Sequence, residues 1–167
     1  MKVTNSITSL DKIEQLYQEQ TTISHRKKFA QFFTPLEIAQ IMAGWILGNK
    51  ETKSILEPAF GLGIFSSLLL RENPTLQIKA FEIDPIIFNS AKEVLKDWQT
   101  NIDLQLVDYI YNDWDKKYNG IICNPPYLKF HDYSNKEALL KFEQETTFKL
   151  NGFSNLYVIF LLKSLLK

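Results

Sequence analysis

Very little of the chemistry that marks many small domains is available to this 167-residue chain. It has one cysteine, two histidines, six glycines and no net charge. The single cysteine, Cys123, excludes an internal disulfide framework and a zinc cluster, and no metal ligands are assigned. It sits in the apolar run GIIC and reads as a small buried hydrophobe. The 19 basic and 19 acidic side chains cancel, so no global positive field draws in nucleic acid. Any grip on phosphate must be local or supplied by another part. No hydrophobic run is long enough to span a bilayer: the most apolar stretch, LYVIFLLKSLL, is short and carries Lys163. The opening MKVTNSITSLDK lacks the apolar core of a signal peptide. A soluble, cytoplasmic protein with no membrane partner is expected. Low-complexity tracts and internal repeats are absent.

What is present suits one globular domain, with 45% hydrophobic residues and 23% charged. Ser9 is placed to cap a short amphipathic helix through LDKIEQLYQE. SHRKK, residues 24–28, reads as a solvated basic linker, with a phosphate contact as its functional alternative. His25 and His131 read as surface or loop histidines without a role. Residues 1–28 are thus expected to form an N-terminal helix and linker, and residues 29–167 the domain. Thr34-Pro35-Leu36-Glu37 has the form of a capping box with proline at the first helical position. Ile38, Ile41, Met42, Trp45 and Ile46 follow at helical spacing, and Gly48 is a plausible terminator.

Strands are expected at KSILE (53–57), LQIKAFE (76–82), IDLQLV (102–107) and GIICN (120–124). Helices are expected at IFSSLLLRE, at PIIFNSAKEVLKDW behind an Asp84 cap, at SNKEALLKFEQETTF behind a Ser134 cap, and at the C-terminus. Strands alternating with helices predict an α/β fold with a doubly wound parallel sheet covered on both faces.

Ligands of such sheets bind beyond the carboxyl ends of the strands. Each strand here ends in an acid or amide: Glu57 before PAFGLG, Glu82 before IDP, Asp108, and Asn124 before PPY. Pro125 and Pro126 cannot continue a strand, because each lacks a backbone donor, and their fixed φ angles hold the neighbouring carbonyls in place. Read alone, Asn-Pro is also an ordinary turn signal. Gly61 and Gly63 allow close backbone approach to a ligand, but GLG followed by Ile is neither GxGxxG nor a P-loop. Glu82 lies nineteen residues after Gly63, near where an acid accepts hydrogen bonds from a ribose diol.

Together these residues resemble the S-adenosylmethionine-dependent amino-methyltransferases, above all the DNA N6-adenine enzymes of restriction–modification systems. QFFTP (31–35) is similar to their motif X, EPAFGLGIF (57–65) to motif I and FEIDP (81–85) to motif II. Asp108 falls where motif III ends its strand, and NPPY (124–127) is motif IV. The order, with motif X ahead of motif I and both ahead of motif IV, is that of the gamma type. Phe60 and Leu62 depart from the Cys and Ser common in motif I, but both glycines remain. The resemblance implies a Rossmann-like class I methyltransferase fold and S-adenosylmethionine as cofactor. It implies that Asn124, Pro125, Pro126 and Tyr127 act on a flipped-out adenine of duplex DNA. It also implies that Thr34, Glu57, Ala59, Gly61 and Gly63 surround the methionine end. Glu82 would hold the ribose, Ile83 would pack on the cofactor's adenine, and Asp108 would accept from its amino group.

Two alternatives stand beside this reading. A release-factor glutamine methyltransferase also uses an NPPY-type loop, although QFFTP favours the DNA enzymes. A non-catalytic cofactor-binding remnant or subunit is the other, because family members continue past the helix after the fourth strand into further strands and a target-recognition domain. The chain therefore reads as truncated there, in need of a C-terminal half in cis or trans and inactive on DNA alone. Its helix over residues 154–167 is apolar enough to drive self-association.

Overall fold

A computed structural model describes residues 14–128, 135–151 and 154–167. The caps expected at Ser9 and Ser134, together with His131, lie outside the described residues. Four strands, β1 (Ser54–Glu57), β2 (Gln77–Glu82), β3 (Ile102–Leu106) and β4 (Gly120–Ile121), form one parallel sheet in the order β3-β2-β1-β4. Leu56 lies opposite Lys79 on one side and Ile121 on the other. Strand order reverses between β1 and β4, which opens a crevice at their carboxyl ends.

The fourth strand is shorter than GIICN promised. Only Gly120 and Ile121 pair with β1, and the Ile122 amide adds one bond to the Leu56 carbonyl at 3.0 Å. Among the described residues β4 has a neighbour on one side alone, and the prolines that follow have no amide hydrogen to extend the ladder.

The helices are α1 (Ile23–Lys28), α2 (Leu36–Gly48), α3 (Ile64–Glu72), α4 (Pro85–Val94), α5 (Asn135–Glu145) and α6 (Leu156–Leu165). Strand alternation sends neighbouring side chains into two separate cores. Ile55 and Ala80 join Ala39, Ala43, Phe65 and Leu69 on one face. Leu56 and Phe81 join Tyr109, Phe142, Ile159 and Phe160 on the other. The sheet is thus covered on both sides, as an all-parallel sheet must be. Cys123 packs, partly buried, against the second core.

Three local expectations are corrected. Residues 24–28 are solvent-facing, with none buried, but they are helix and not linker: they lie in α1, whose N-cap Thr22 hydroxyl accepts from the His25 amide at 3.1 Å. Thr34 does not cap α2, because the helix begins one residue later with Pro35 at its N-cap and no side-chain cap bond. The apolar stripe of α2 also divides. Ala39 and Ala43 are buried, with Met42 and Ile46 beside them, whereas Ile41 and Trp45 are 70% and 87% exposed. The small residues Ala39 and Ala43 face the first core, where α2 packs against α3. Spacing alone does not reveal which edge of a broad stripe wins.

The closing helix buries Leu156, Ile159, Phe160 and Lys163 while Leu161 and Leu165 stay exposed. The Lys163 ammonium, fully buried, donates to the carbonyls of Tyr109 and Asn112 and lies 3.9 Å from the Tyr109 ring centroid. Burial pushes it down to about 7. It thereby ties α6 to the single turn that starts at Asp108. Among the described residues no helix is long and apolar enough to cross a membrane.

Candidate active site

A cavity of about 330 Å³ opens at the carboxyl end of the sheet. Of the residues singled out from sequence, Thr34, Ala59, Gly61, Glu82, Ile83, Asp108, Asn124 and Pro126 line it. Glu57, Gly63, Pro125 and Tyr127 do not. Glu57 is fully buried behind the glycine loop, where it accepts from the Ser66 hydroxyl through Oε2 while Oε1 has no partner among the described residues. Burial pushes its carboxyl up to about 8, despite hydrogen bonds from the Ser66 hydroxyl and amide.

The loop after β1 is shaped by its two glycines for different reasons. Gly63, with φ of 78°, is the N-cap of α3, and a Cβ there would meet the Phe60 ring at 2.6 Å. It is a packing and turn residue, one step removed from the cavity wall. Gly61, with φ of 57°, donates its amide to Glu82 Oε2 at 2.9 Å. The other Glu82 oxygen accepts from the Ile83 and Asp84 amides, both at 2.8 Å. Glu82 is therefore aimed by three backbone donors. Burial still raises its carboxyl to about 7 in spite of those bonds. One of the four acceptor positions of the carboxylate remains, on the oxygen held by Gly61.

Asp108 ends the strand segment and caps the following turn, accepting from the Ile110 amide at 2.8 Å. Asn124 is held from the opposite wall. Its Nδ2 donates to the Phe32 carbonyl at 2.9 Å and to Thr34 Oγ1 at 3.1 Å. Two acceptors on one end of a side-chain amide decide its flip, so Oδ1 is the end left for another donor. Tyr127 stands outside the cavity, 58% exposed, its ring centroid 5.9 Å from that of Tyr157.

Several wall residues were not among the site residues singled out from the sequence. Phe33 and Gln31 come from the segment before α2, and Leu156 and Phe160 come from α6. The paired aromatics of QFFTP were the available hint for the first. Nothing separated Leu156 and Phe160 from the rest of an all-apolar helix.

The sequence matches the methyltransferase small domain over residues 40–159. It is 55% identical over 165 residues to the Type II methyltransferase M.AccI of Acinetobacter calcoaceticus, an alignment covering 99% of this chain and 30% of that protein. The Type II methyltransferase M.HincII of Haemophilus influenzae is 30% identical over 145 residues, covering 86% of this chain and 26% of that one. The chain thus spans less than a third of the length of these curated relatives. Among solved structures, one from Listeria monocytogenes, described as a class I S-adenosylmethionine-dependent methyltransferase, superposes with a TM-score of 0.63. That match has 19% identity and covers 79% of this chain and 42% of that one.

Proposed function

The chain belongs to the methyltransferase small domain family, and from that premise we propose that it transfers a methyl group from S-adenosylmethionine to the N6 amine of adenine in DNA. It does so as the cofactor-binding part of a restriction–modification methyltransferase. The observation that carries this reading is the Asn124 amide, turned by Phe32 and Thr34 so that its oxygen is the free end at the cavity wall. The similarity to two Type II methyltransferases supports DNA as the substrate.

The cavity residues fit the cofactor. Glu82 retains an acceptor position suited to a ribose diol, and Glu57, buried behind the glycine loop and outside the cavity wall, has an Oε1 with no partner among the described residues. Glu82 would hold the ribose, Ile83 the adenine ring and Asp108 its amino group. Thr34, Ala59 and the Gly61 loop, with Glu57 behind them, would hold the methionine end. S-adenosylmethionine supplies the methyl group, activated by its sulfonium.

The protein's own part is to make a weak nucleophile attack. An exocyclic adenine amine has its lone pair delocalised into the ring. Asn124 Oδ1 and the Pro125 carbonyl accept its two hydrogens and draw the nitrogen toward a tetrahedral state. The lone pair is then aimed for in-line transfer. The N–C bond forms as the donor's sulfonium C–S bond breaks to leave a neutral thioether. The positive charge growing on N6 meets two fixed dipoles, which is electrostatic preorganisation and not base catalysis, and the surplus N6 proton is lost to solvent after transfer. Pro125 and Pro126 limit how far that carbonyl can move. Exposed Tyr127 is available to stack on a base rotated out of the duplex. A C-terminal half or target-recognition domain, in cis or in trans, supplies the remaining grip on DNA, and the exposed Leu161 and Leu165 of α6 are a surface for it or for self-association.

The test is a product assay on a longer polypeptide that contains residues 1–167, with labelled methyl donor and duplex DNA. N6-methyladenine is expected, and Asn124→Ala should abolish it while leaving cofactor affinity within about twofold. Methylated glutamine on a release factor, or turnover by the Asn124 variant at the parent rate, would overturn the proposal.

A further inference from the structure

We propose that His25 is a positioning residue of the cofactor pocket: with Tyr17 and Gln31 it fastens residues 14–35 onto the buried carboxylate of Asp84, and through Asp84 it steadies Glu82. The pocket's occupant is taken from the function proposed above; the fastening itself is independent of it.

Asp84 is completely buried. Its Oδ1 accepts from the Ile86 amide at 2.9 Å, which is all that capping α4 requires. Its Oδ2 takes no part in the cap. Three side chains from the N-terminal segment converge on that second oxygen: Tyr17 Oη at 2.9 Å, His25 Nε2 at 2.7 Å and Gln31 Nε2 at 2.6 Å. Because a carboxylate only accepts, His25 Nε2 carries a proton and donates. Burial alone would raise the Asp84 carboxyl, yet the bonds from His25, Gln31, the Ile86 amide and Tyr17 outweigh it and hold it below the usual carboxylate range. The charge is thus retained inside the protein chiefly by His25 and Gln31, which no capping role explains.

The consequence reaches the pocket by two routes. The Asp84 amide donates to Glu82 Oε1 at 2.8 Å, so the residue gripped by His25 also aims the acid assigned to the ribose. The fastened segment is itself a wall, contributing Glu14, Phe29, Gln31 and Phe33 opposite the Gly61 loop. Tyr17, 1% exposed, packs with Leu62 and Ile87 and meets the Phe33 ring edge-on at 5.8 Å. Arg26 closes the turn between the helical residues 14–20 and α1 by donating to the Thr21 carbonyl at 2.8 Å. Ala30, between His25 and Gln31, is held at φ of 48°, a conformation an alanine adopts only when its surroundings impose it.

The experiment compares the 167-residue chain with His25→Ala, His25→Gln and Tyr17→Phe, and with Lys27→Ala as an exposed control on the same helix. S-adenosylmethionine affinity is measured by titration calorimetry. Amide hydrogen exchange is followed in each protein without cofactor. His25→Ala and Tyr17→Phe should each weaken affinity by about three- to tenfold. Both should accelerate exchange in residues 14–35 and at Ile83 and Asp84, while β1 and β3 stay protected. His25→Gln, which keeps a donor in reach, should recover most of both, and Lys27→Ala should match the parent. Should His25→Ala fail to fold, Tyr17→Phe, which keeps the ring, carries the comparison. Parent-like affinity and exchange in both variants would overturn the inference, as would a uniform loss of protection across the whole sheet. If the parent chain binds no S-adenosylmethionine, the function proposed above fails, and the exchange data still decide the fastening.

Discussion

The Asn124 amide donates to the Thr34 hydroxyl at 3.1 Å, joining side chains 90 residues apart in the chain. This bond, with the one to the Phe32 carbonyl, makes the segment before α2 a holder for the NPPY loop. Thr34→Val keeps the shape and removes the acceptor. In a longer active polypeptide it should lower turnover about tenfold, the worth of one hydrogen bond of about 1–1.5 kcal/mol. Thr34→Ser should restore it. Because Thr34 also lines the cavity assigned to the methionine end, cofactor affinity measured by calorimetry should fall too, but by less than the turnover does. An equal fall in both would leave Thr34 with the cofactor role alone.

Glu82→Ala should weaken S-adenosylmethionine binding to the chain by about 1.5–3 kcal/mol, the scale of charge-assisted hydrogen bonds. The same substitution frees the Gly61, Ile83 and Asp84 amides. Glu82→Gln therefore provides the milder comparison, retaining an acceptor without charge. Unaltered affinity in both variants would remove Glu82 from the site.

Glu57 makes stability depend on pH in a direction opposite to that of most carboxylates. Its folded pKa, about 8, lies above the ordinary value, so its contribution is fully present below the unfolded pKa and lost as pH rises through 8. Glu57→Gln removes this dependence. Thermal unfolding of the two proteins should agree near pH 4–5 and diverge above, with the variant more stable by on the order of 5 °C at pH 9. A constant offset across that range would mean that the carboxyl does not titrate as its burial dictates.

Lys163→Met keeps most of the side chain's volume and leaves the Tyr109 and Asn112 carbonyls without their donor. Denaturant unfolding should show a loss of roughly 2–4 kcal/mol, in line with unpaired buried polar groups. Exchange should quicken at Tyr111 and Asn112, whose amides close the turn after Asp108. A variant as stable as the parent would show that the ammonium's burial costs as much as its bonds return.

What the sequence determined by itself was local. β-strand character followed by Pro, Gly or an acid points to the carboxyl ends of the sheet, and Glu82, Asp108 and Asn124 do line the cavity there. Glu57, in contrast, is buried behind the glycine loop, and β4 stops at Ile121, short of Asn124. Alternation of strand and helix sufficed for a parallel sheet, because a parallel pair needs a crossover. The Asp84 cap and Pro85 start of α4 were legible for the same reason: cap and helix are neighbours in the chain. Only the tertiary structure decided which side of α2 would be buried, since Ile41 and Trp45 have the same helical spacing as Met42 and Ile46. It alone turned the Asn124 amide, drew His25 out of an apparent basic linker onto Asp84, and buried Lys163 among carbonyls. Each of those outcomes depends on groups separated by 50 or more residues meeting in the fold, and composition and periodicity contain nothing that anticipates that approach.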